Sequence, residues 1–288
     1  MTKLYTATEI DKTDIRLDLQ GKTFVLGSCF ADDIGSRLKN AGFELCLNPF
    51  GTLYNPLSIA NSISRLDYGA PFRPEDCVQM GAGAGKICSW WHHTSFARES
   101  AGEFLKNANS VLAEASAFWK ESGTVIITLG TAMVWKLKSS GEVVSNCLKR
   151  PAAEFSHEML STDEVSAVIS RIISRHPDKQ FIFTVSPIRH GGEGMHRNTL
   201  SKSTLQLGLD KAISDCGRAY YFPSYEIMLD ELRDYRFYAD DLVHPSVKAI
   251  DIIQEKFFDA CTLESDRKSI EENLRKAAAA AHRPMGRR

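Results

Sequence analysis

Three residues from two distant stretches of the chain have the types that acyl transfer needs: Ser28 in the run Leu26-Gly27-Ser28-Cys29-Phe30-Ala31, and Asp241 with His244 in Asp241-Leu242-Val243-His244-Pro245. A carboxylate three residues before a histidine in a loop is placed to accept an imidazole proton and hold its tautomer, so that His244 deprotonates Ser28. The backbone N–H of a serine at the start of a helix suits an oxyanion. Taken alone Ser28 reads as a helix N-cap before it reads as a nucleophile, and the D-x-x-H pair tips the reading toward the nucleophile. Cys29 is read as the first helical residue, its thiol turned inward. His92 and His93 follow Trp90 and Trp91, and Arg189 with His190 follows an apolar run. His93, Arg189 and His190 are expected to bind an oxygen-rich substrate or to make structural hydrogen bonds. Neither cluster has the H-E-x-x-H type of spacing, so no metal and no other cofactor is expected. Trp90, Trp91 and Trp135 read as core before they read as platforms for sugar rings.

These residues need elements to position them. Thr23 to Leu26 predicts a strand, followed at once by a helix with Phe30, Ile34 and Leu38 on one face. Phe43 to Leu47 predicts a second strand, and Pro56 a first helical residue for a helix to about Leu66. A long helix is expected from about Glu99 to Ser122, after an insertion-like segment with a flexible Gly81 to Gly85. Thr124 to Leu129 and Phe181 to Val185 are continuous apolar runs of the kind covered on both faces. Val134 to Leu137 and Glu142 to Val144 flank a hairpin signal. Ser161 and Glu164 have capping-box spacing for a helix to about Ser174. Further helices are expected over Ser201 to Cys216, Tyr225 to Leu232 and Val247 to Cys261, with a strand at Ala219 to Phe222. Such alternation implies a mostly parallel sheet with helices on both faces and ligands at the carboxyl ends of the strands.

Composition sets the boundaries. The 288 residues carry 35 Lys plus Arg against 36 Asp plus Glu, a net charge of -1, which gives no global electrostatic case for nucleic acid or an anionic membrane. The short basic end, Arg283, Arg287 and Arg288, reads as a solvated terminus. The apolar runs are far short of the roughly 20 residues that a membrane span requires. The N-terminus lacks a signal-peptide pattern, and a cytoplasmic location is expected. Seven scattered cysteines without a C-x-x-C pair read as buried free thiols. One domain is expected over 1–288, with a core of about 20–262 and a helical, Ala-rich tail of about 263–288.

The runs LGSCFA, NPFGTLYNP, TLGTAMVW, TVSPIRH, YFPSYEIMLDELRDYRFYADDLVHPS and HRP, from about Lys22 to Pro284, resemble the GSCFA family. That family looks like a branch of the SGNH hydrolase superfamily, serine esterases and lipases. The resemblance implies a flavodoxin-like three-layer αβα sandwich, Ser28 as nucleophile, and Asp241 and His244 as the superfamily's terminal D-x-x-H. It also implies that Gly51 donates its N–H to the oxyanion. The superfamily's third block is usually G-x-N-D, whereas here it reads Gly130-Thr131-Ala132-Met133. Ala132 has no side-chain donor to offer, so another group must stabilise the oxyanion. Thr131 is the first substitute, with Asn48 and Asn146 as alternatives.

The expectation is therefore a metal-independent serine ester hydrolase or acyltransferase acting on a small-molecule or glycan ester, with an O-acylated sugar as the leading candidate. The competing class is a non-catalytic carbohydrate- or partner-binding module on the same scaffold, suggested by the missing asparagine. A metal-dependent hydrolase built from the histidine clusters is a third.

Overall fold

The computed structural model describes residues 5–83, 85–216 and 218–281. The basic end and the His282-Arg283-Pro284 run lie outside the described residues, as does the side chain of Cys216. Five strands form one parallel sheet: β1 (Lys22–Gly27), β2 (Glu44–Leu47), β5 (Thr124–Leu129), β9 (Gln180–Val185) and β10 (Ala219–Tyr221), in the spatial order β2-β1-β5-β9-β10. Numbered along the sheet alone this is 2-1-3-4-5, the flavodoxin-like order. The chain leaves β1 toward β2 and returns on the other side as β5, which makes the crevice beyond β1 and β5 the switch point where such folds bind ligands.

Side chains alternate across the sheet because the strand period is 2. Phe24, Leu26, Val125, Ile127, Phe181 and Phe183 face one apolar layer, covered by α2 (Pro56–Tyr68), α3 (Ala101–Glu121), α4 (Thr162–Arg175) and α5 (Met195–Cys216). Val25, Ile126 and Ile182 face the other, where α1 (Cys29–Ala41), α7 (Val247–Cys261) and α8 (Arg267–Ala281) lie. The helix starts follow the expected chemistry. Ser161 and Glu164 cap α4 reciprocally, and Asn55 accepts from the Ser58 amide just ahead of Pro56.

Three local expectations need correction. The Gly81 region is a connection inside a small antiparallel pair, β3 (Val78–Gln79) with β4 (Ile87–Cys88). The hairpin of β6 (Met133–Leu137) and β7 (Val143–Val144) gains a third strand, β8 (Phe155–Met159), which carries the polar Ser156, His157 and Glu158 and lacked a strand-like apolar pattern. The segment at 225–232 is a short turn, α6 (Ser224–Glu226), running into a π-type turn at Ile227–Glu231. Among the described residues no helix is long and apolar enough to cross a membrane.

Candidate active site

Strand β1 ends against β5. Gly27 has φ 140°, and a Cβ there would run into the Thr128 carbonyl, so only glycine lets the two strand ends approach this closely. The consequence falls on the next residue. Ser28 is 1% exposed, its N–H donates to Thr128 Oγ1 at 3.0 Å, and its hydroxyl shares a 3.0 Å hydrogen bond with the same Oγ1. The serine expected as nucleophile is therefore buried against Thr128 of β5, and both its amide and its hydroxyl are engaged within the protein.

The side chain brought to the histidine is Cys29. Its Sγ lies 3.8 Å from His244 Nε2, while His244 Nδ1 is 2.6 Å from Asp241 Oδ2. The expected inward position of the thiol is thus overturned. Helical periodicity explains it: Phe30, Ala31, Ile34 and Leu38 form the buried stripe of α1, whereas Cys29 shares its face with Asp32 and Asp33, three and four residues on. That polar face looks onto the crevice. The signal in the sequence is the spacing of Asp32 and Asp33, three and four residues after Cys29, opposite the apolar stripe of α1.

The loop carrying the histidine is organised by its own carboxylate. Asp241 Oδ1 accepts from the amides of Val243 and His244, both at 2.9 Å, and Leu242 takes φ 58° to close the turn. These backbone bonds, followed by the bond from the imidazole, pull the Asp241 carboxyl down to about 2. An ionised Asp241 accepts a hydrogen bond from Nδ1–H, which leaves Nε2 as the acceptor toward sulfur. Tyr238 bridges to Pro245 and Ala239 donates to the His244 carbonyl at 2.8 Å, so the loop is a narrow hairpin.

The Cys29 thiol is pushed above its ordinary value, chiefly by burial and then by Asp33, with the amides of Cys29 and Phe30 pulling the other way. Those two amides belong to the first turn of α1, where backbone donors lack intrahelical acceptors and the helix dipole favours negative charge.

The expected oxyanion donors are occupied elsewhere. Gly51 donates to the Asn48 carbonyl at 2.8 Å and packs against His93, which leaves no room for a Cβ. Asn48 bridges Gly27 N, through Oδ1 at 2.8 Å, and Asp32, through Nδ2 at 2.7 Å. The Thr131 hydroxyl accepts from Met133 N at 3.0 Å and shares a 2.9 Å bond with Ser201. Asn146 closes a turn by accepting from Leu148 N at 2.7 Å. In each case an intramolecular partner competes for the group, and none is directed at Cys29 by these contacts. The imidazole of His93 caps its own turn through Ser95. His190 sits edge-on to Tyr54 with ring centroids 5.9 Å apart, and Arg189 lines a separate cavity with residues of the His244 loop. Trp90 packs on Phe155 and Trp135 stacks on His157 at 3.7 Å, which uses both rings within the protein.

Lys202 joins the site without any signal in the sequence around it. It is 1% exposed and donates to the carbonyls of Gly130 and Ser186, each at 2.7 Å, tying the ends of β5 and β9 together behind the cysteine. Burial lowers its ammonium to about 7, while the neighbouring Cys29 acts to raise it. Nothing local marks a lysine in mid-helix as buried.

The GSCFA family matches residues 22–257 of the chain. Among proteins of curated function no match is found. Two solved structures are similar at low identity. LAE5, described as an alpha/beta hydrolase enzyme from the metagenome of Lake Arreo, Spain, is 8% identical with a TM-score of 0.47, over 83% of this chain and 94% of that one. The acetyl xylan esterase Est2A from the rumen bacterium Butyrivibrio proteoclasticus is 11% identical with a TM-score of 0.38, over 83% of this chain and 63% of that one.

Proposed function

The chain belongs to the GSCFA family, and from that premise we propose that it is an acyl-transfer enzyme, a hydrolase of ester-type bonds working through Cys29, His244 and Asp241. The observation that carries the reading is the contact chain Cys29 Sγ to His244 Nε2 at 3.8 Å and His244 Nδ1 to Asp241 Oδ2 at 2.6 Å. This is the nucleophile, base and orienting group of covalent catalysis, with a thiol in place of the hydroxyl.

In the proposed reaction His244 Nε2 takes the thiol proton as Sγ attacks the acyl carbon. The carbonyl oxygen becomes an oxyanion facing the Cys29 and Phe30 amides, the type of donor whose loss typically costs about 10²- to 10³-fold in rate. The bond from carbon to the leaving oxygen breaks, His244 returns the proton to that oxygen, and a thioester remains on Cys29. Water, deprotonated by His244, then attacks the thioester and restores the thiol, releasing the carboxylic acid. An acceptor hydroxyl in place of water makes the same cycle a transferase. Lys202 touches no reacting atom in this scheme. It positions the strand ends and adds positive field beneath the sulfur. O-acylated sugars are the first substrates to assay, because Tyr54 and Thr52, linked at 3.2 Å, and His190 offer a polar rim for sugar hydroxyls.

A second reading, a binding module without turnover, is favoured by one observation: Gly51, Asn48 and Thr131 already spend their hydrogen bonds within the protein. Turnover of aryl acetates and acetylated methyl glycosides by wild type, Cys29→Ala and Ser28→Ala separates the readings. The cysteine mechanism expects Cys29→Ala to lose at least about 10³-fold in kcat and Ser28→Ala far less. Labelling of Ser28 by a fluorophosphonate probe, or undiminished turnover in Cys29→Ala, would return the nucleophile to serine.

A further inference from the structure

We propose that the cavity flanking the His244 hairpin is an anion-binding subsite that holds a carboxylate or phosphate group of the substrate through Arg189 and Arg233. The cavity has a volume of about 330 Å³, and Arg189, Arg233, Tyr235, Tyr238, Met228 and Leu242 contribute to its walls. That volume is at the lower end of small-molecule sites and suits a group of a few heavy atoms. One wall is the reacting loop itself, since Tyr238 bridges to Pro245 and Leu242 lies between Asp241 and His244. A group seated here is therefore beside the base, at the carboxyl ends of the parallel strands.

The charge pattern points to an anion. Neither Arg189 nor Arg233 pairs with a carboxylate among the described residues, although Asp234 lies on the same wall. The Arg189 Nε atom is buried, and among the described residues no acceptor receives a hydrogen bond from it, which is a costly state for a charged donor. The one carboxylate on the rim, Asp234, accepts from the Arg236 amide at 3.0 Å and lies 3.6 Å from the Arg236 side chain. It is thus occupied by a third arginine outside the wall. Burial raises the Tyr238 phenol above its ordinary value, and the nearby Arg189 guanidinium acts to lower it. The two guanidiniums with the phenolic hydroxyls of the lining Tyr235 and Tyr238 form a donor set for the planar oxygens of a carboxylate or the tetrahedral ones of a phosphate. Met228 and Leu242 supply an apolar floor for the carbon atoms that join this anion to the scissile ester.

The subsite names a substrate class for the acyl-transfer reading and rests on that reading only in its kinetic arm. In the binding arm, the full-length Cys29→Ala protein is titrated calorimetrically with glutarate and with inorganic phosphate at constant ionic strength. One of the two is expected to bind saturably, and its identity distinguishes the carboxylate from the phosphate source. Arg233→Glu, at an exposed position where charge reversal leaves the core intact, is expected to weaken that binding about tenfold or more, and Arg189→Gln to do likewise. In the kinetic arm, the wild-type ratio of kcat/KM for an aryl hemiglutarate or a phosphate-bearing acetate ester over that for an aryl acetate is expected to exceed ten. It should fall toward one in Arg233→Glu. Binding without turnover of any ester sinks the acyl-transfer reading and leaves the subsite standing. Turnover without anion preference, together with no saturable binding, overturns the subsite alone. Binding indifferent to Arg233→Glu, in a variant whose circular dichroism matches wild type, also overturns it, whether or not Arg189→Gln folds.

Discussion

At Cys29 burial and the Asp33 carboxylate hold the proton on sulfur, and the first amides of α1 favour its departure. The balance is a thiol raised above its ordinary value, so the nucleophile forms only as His244 accepts the proton during attack. The expected consequence is that the rate of Cys29 alkylation by iodoacetamide, followed by peptide mass mapping, keeps climbing beyond pH 9.0, the ordinary thiol value. A plateau reached near neutral pH would show a preformed thiolate instead. Asp241 works in two directions, since it closes its own turn and holds the imidazole. Asp241→Asn keeps acceptors for the Val243 and His244 amides but presents the imidazole with the wrong partner, and kcat is expected to fall about 10²- to 10⁴-fold with little change in KM. A wild-type kcat there would remove Asp241 from the site. Because its folded carboxyl is held near 2, below the ordinary 3.8, its stabilisation is complete above that ordinary value and is lost as pH falls through about 2. Loss of activity between pH 7 and pH 5 would accordingly belong to another group.

Among the helices, α4 and α5 pack at closest range where α5 has no side chain. A Cβ at Gly208 would lie 2.6 Å from Val165 Cβ and 2.8 Å from the Thr162 carbonyl, with backbone on one side that has no freedom to yield. Gly208→Ala is expected to cost about 1 to 3 kcal/mol in urea unfolding through overpacking. Gly102, near the start of α3, is exposed and has nothing within 4 Å of the same constructed atom. There Gly102→Ala should stabilise by about 0.5 to 1 kcal/mol through helix propensity and the unfolded chain's entropy. Equal effects at the two glycines would contradict the packing described. Where elements depart from the sequence pattern, the reason is tertiary. Strand β8 forms because β6 supplies a partner across five residue pairs, from Met133 with Met159 to Leu137 with Phe155, and α5 begins at Met195, six residues ahead of Ser201.

For the molecule as a whole, Lys202 couples stability to pH. Its folded ammonium lies near 7 and its ordinary value is 10.5, so between these limits the unfolded chain binds more protons and stability rises with pH. Wild type should therefore gain on Lys202→Gln, which keeps side-chain donors but no charge, as pH rises from 7 toward 10, by at most about 1.4 kcal/mol per pH unit. Parallel stability curves for the two proteins would show that the charge carries no such cost. Local sequence was sufficient for the strand and helix alternation, because alternating and helical periods are set by a few neighbouring residues, and for the Asp241 and His244 pair, whose geometry closes within four residues. It also placed the crevice, since a parallel sheet that reverses its order opens at one known point. It did not determine which of two adjacent side chains, Ser28 or Cys29, meets the base. That depends on how Gly27 lets β1 end against Thr128, 100 residues away from Ser28 in sequence, and on the rotation of α1 that follows. The expected oxyanion donors were illegible for the same reason: Asp32, Tyr54 and Ser201 claim the groups of Asn48 and the Gly130 to Ala132 turn, and only the assembled strands bring those competitors within hydrogen-bond reach.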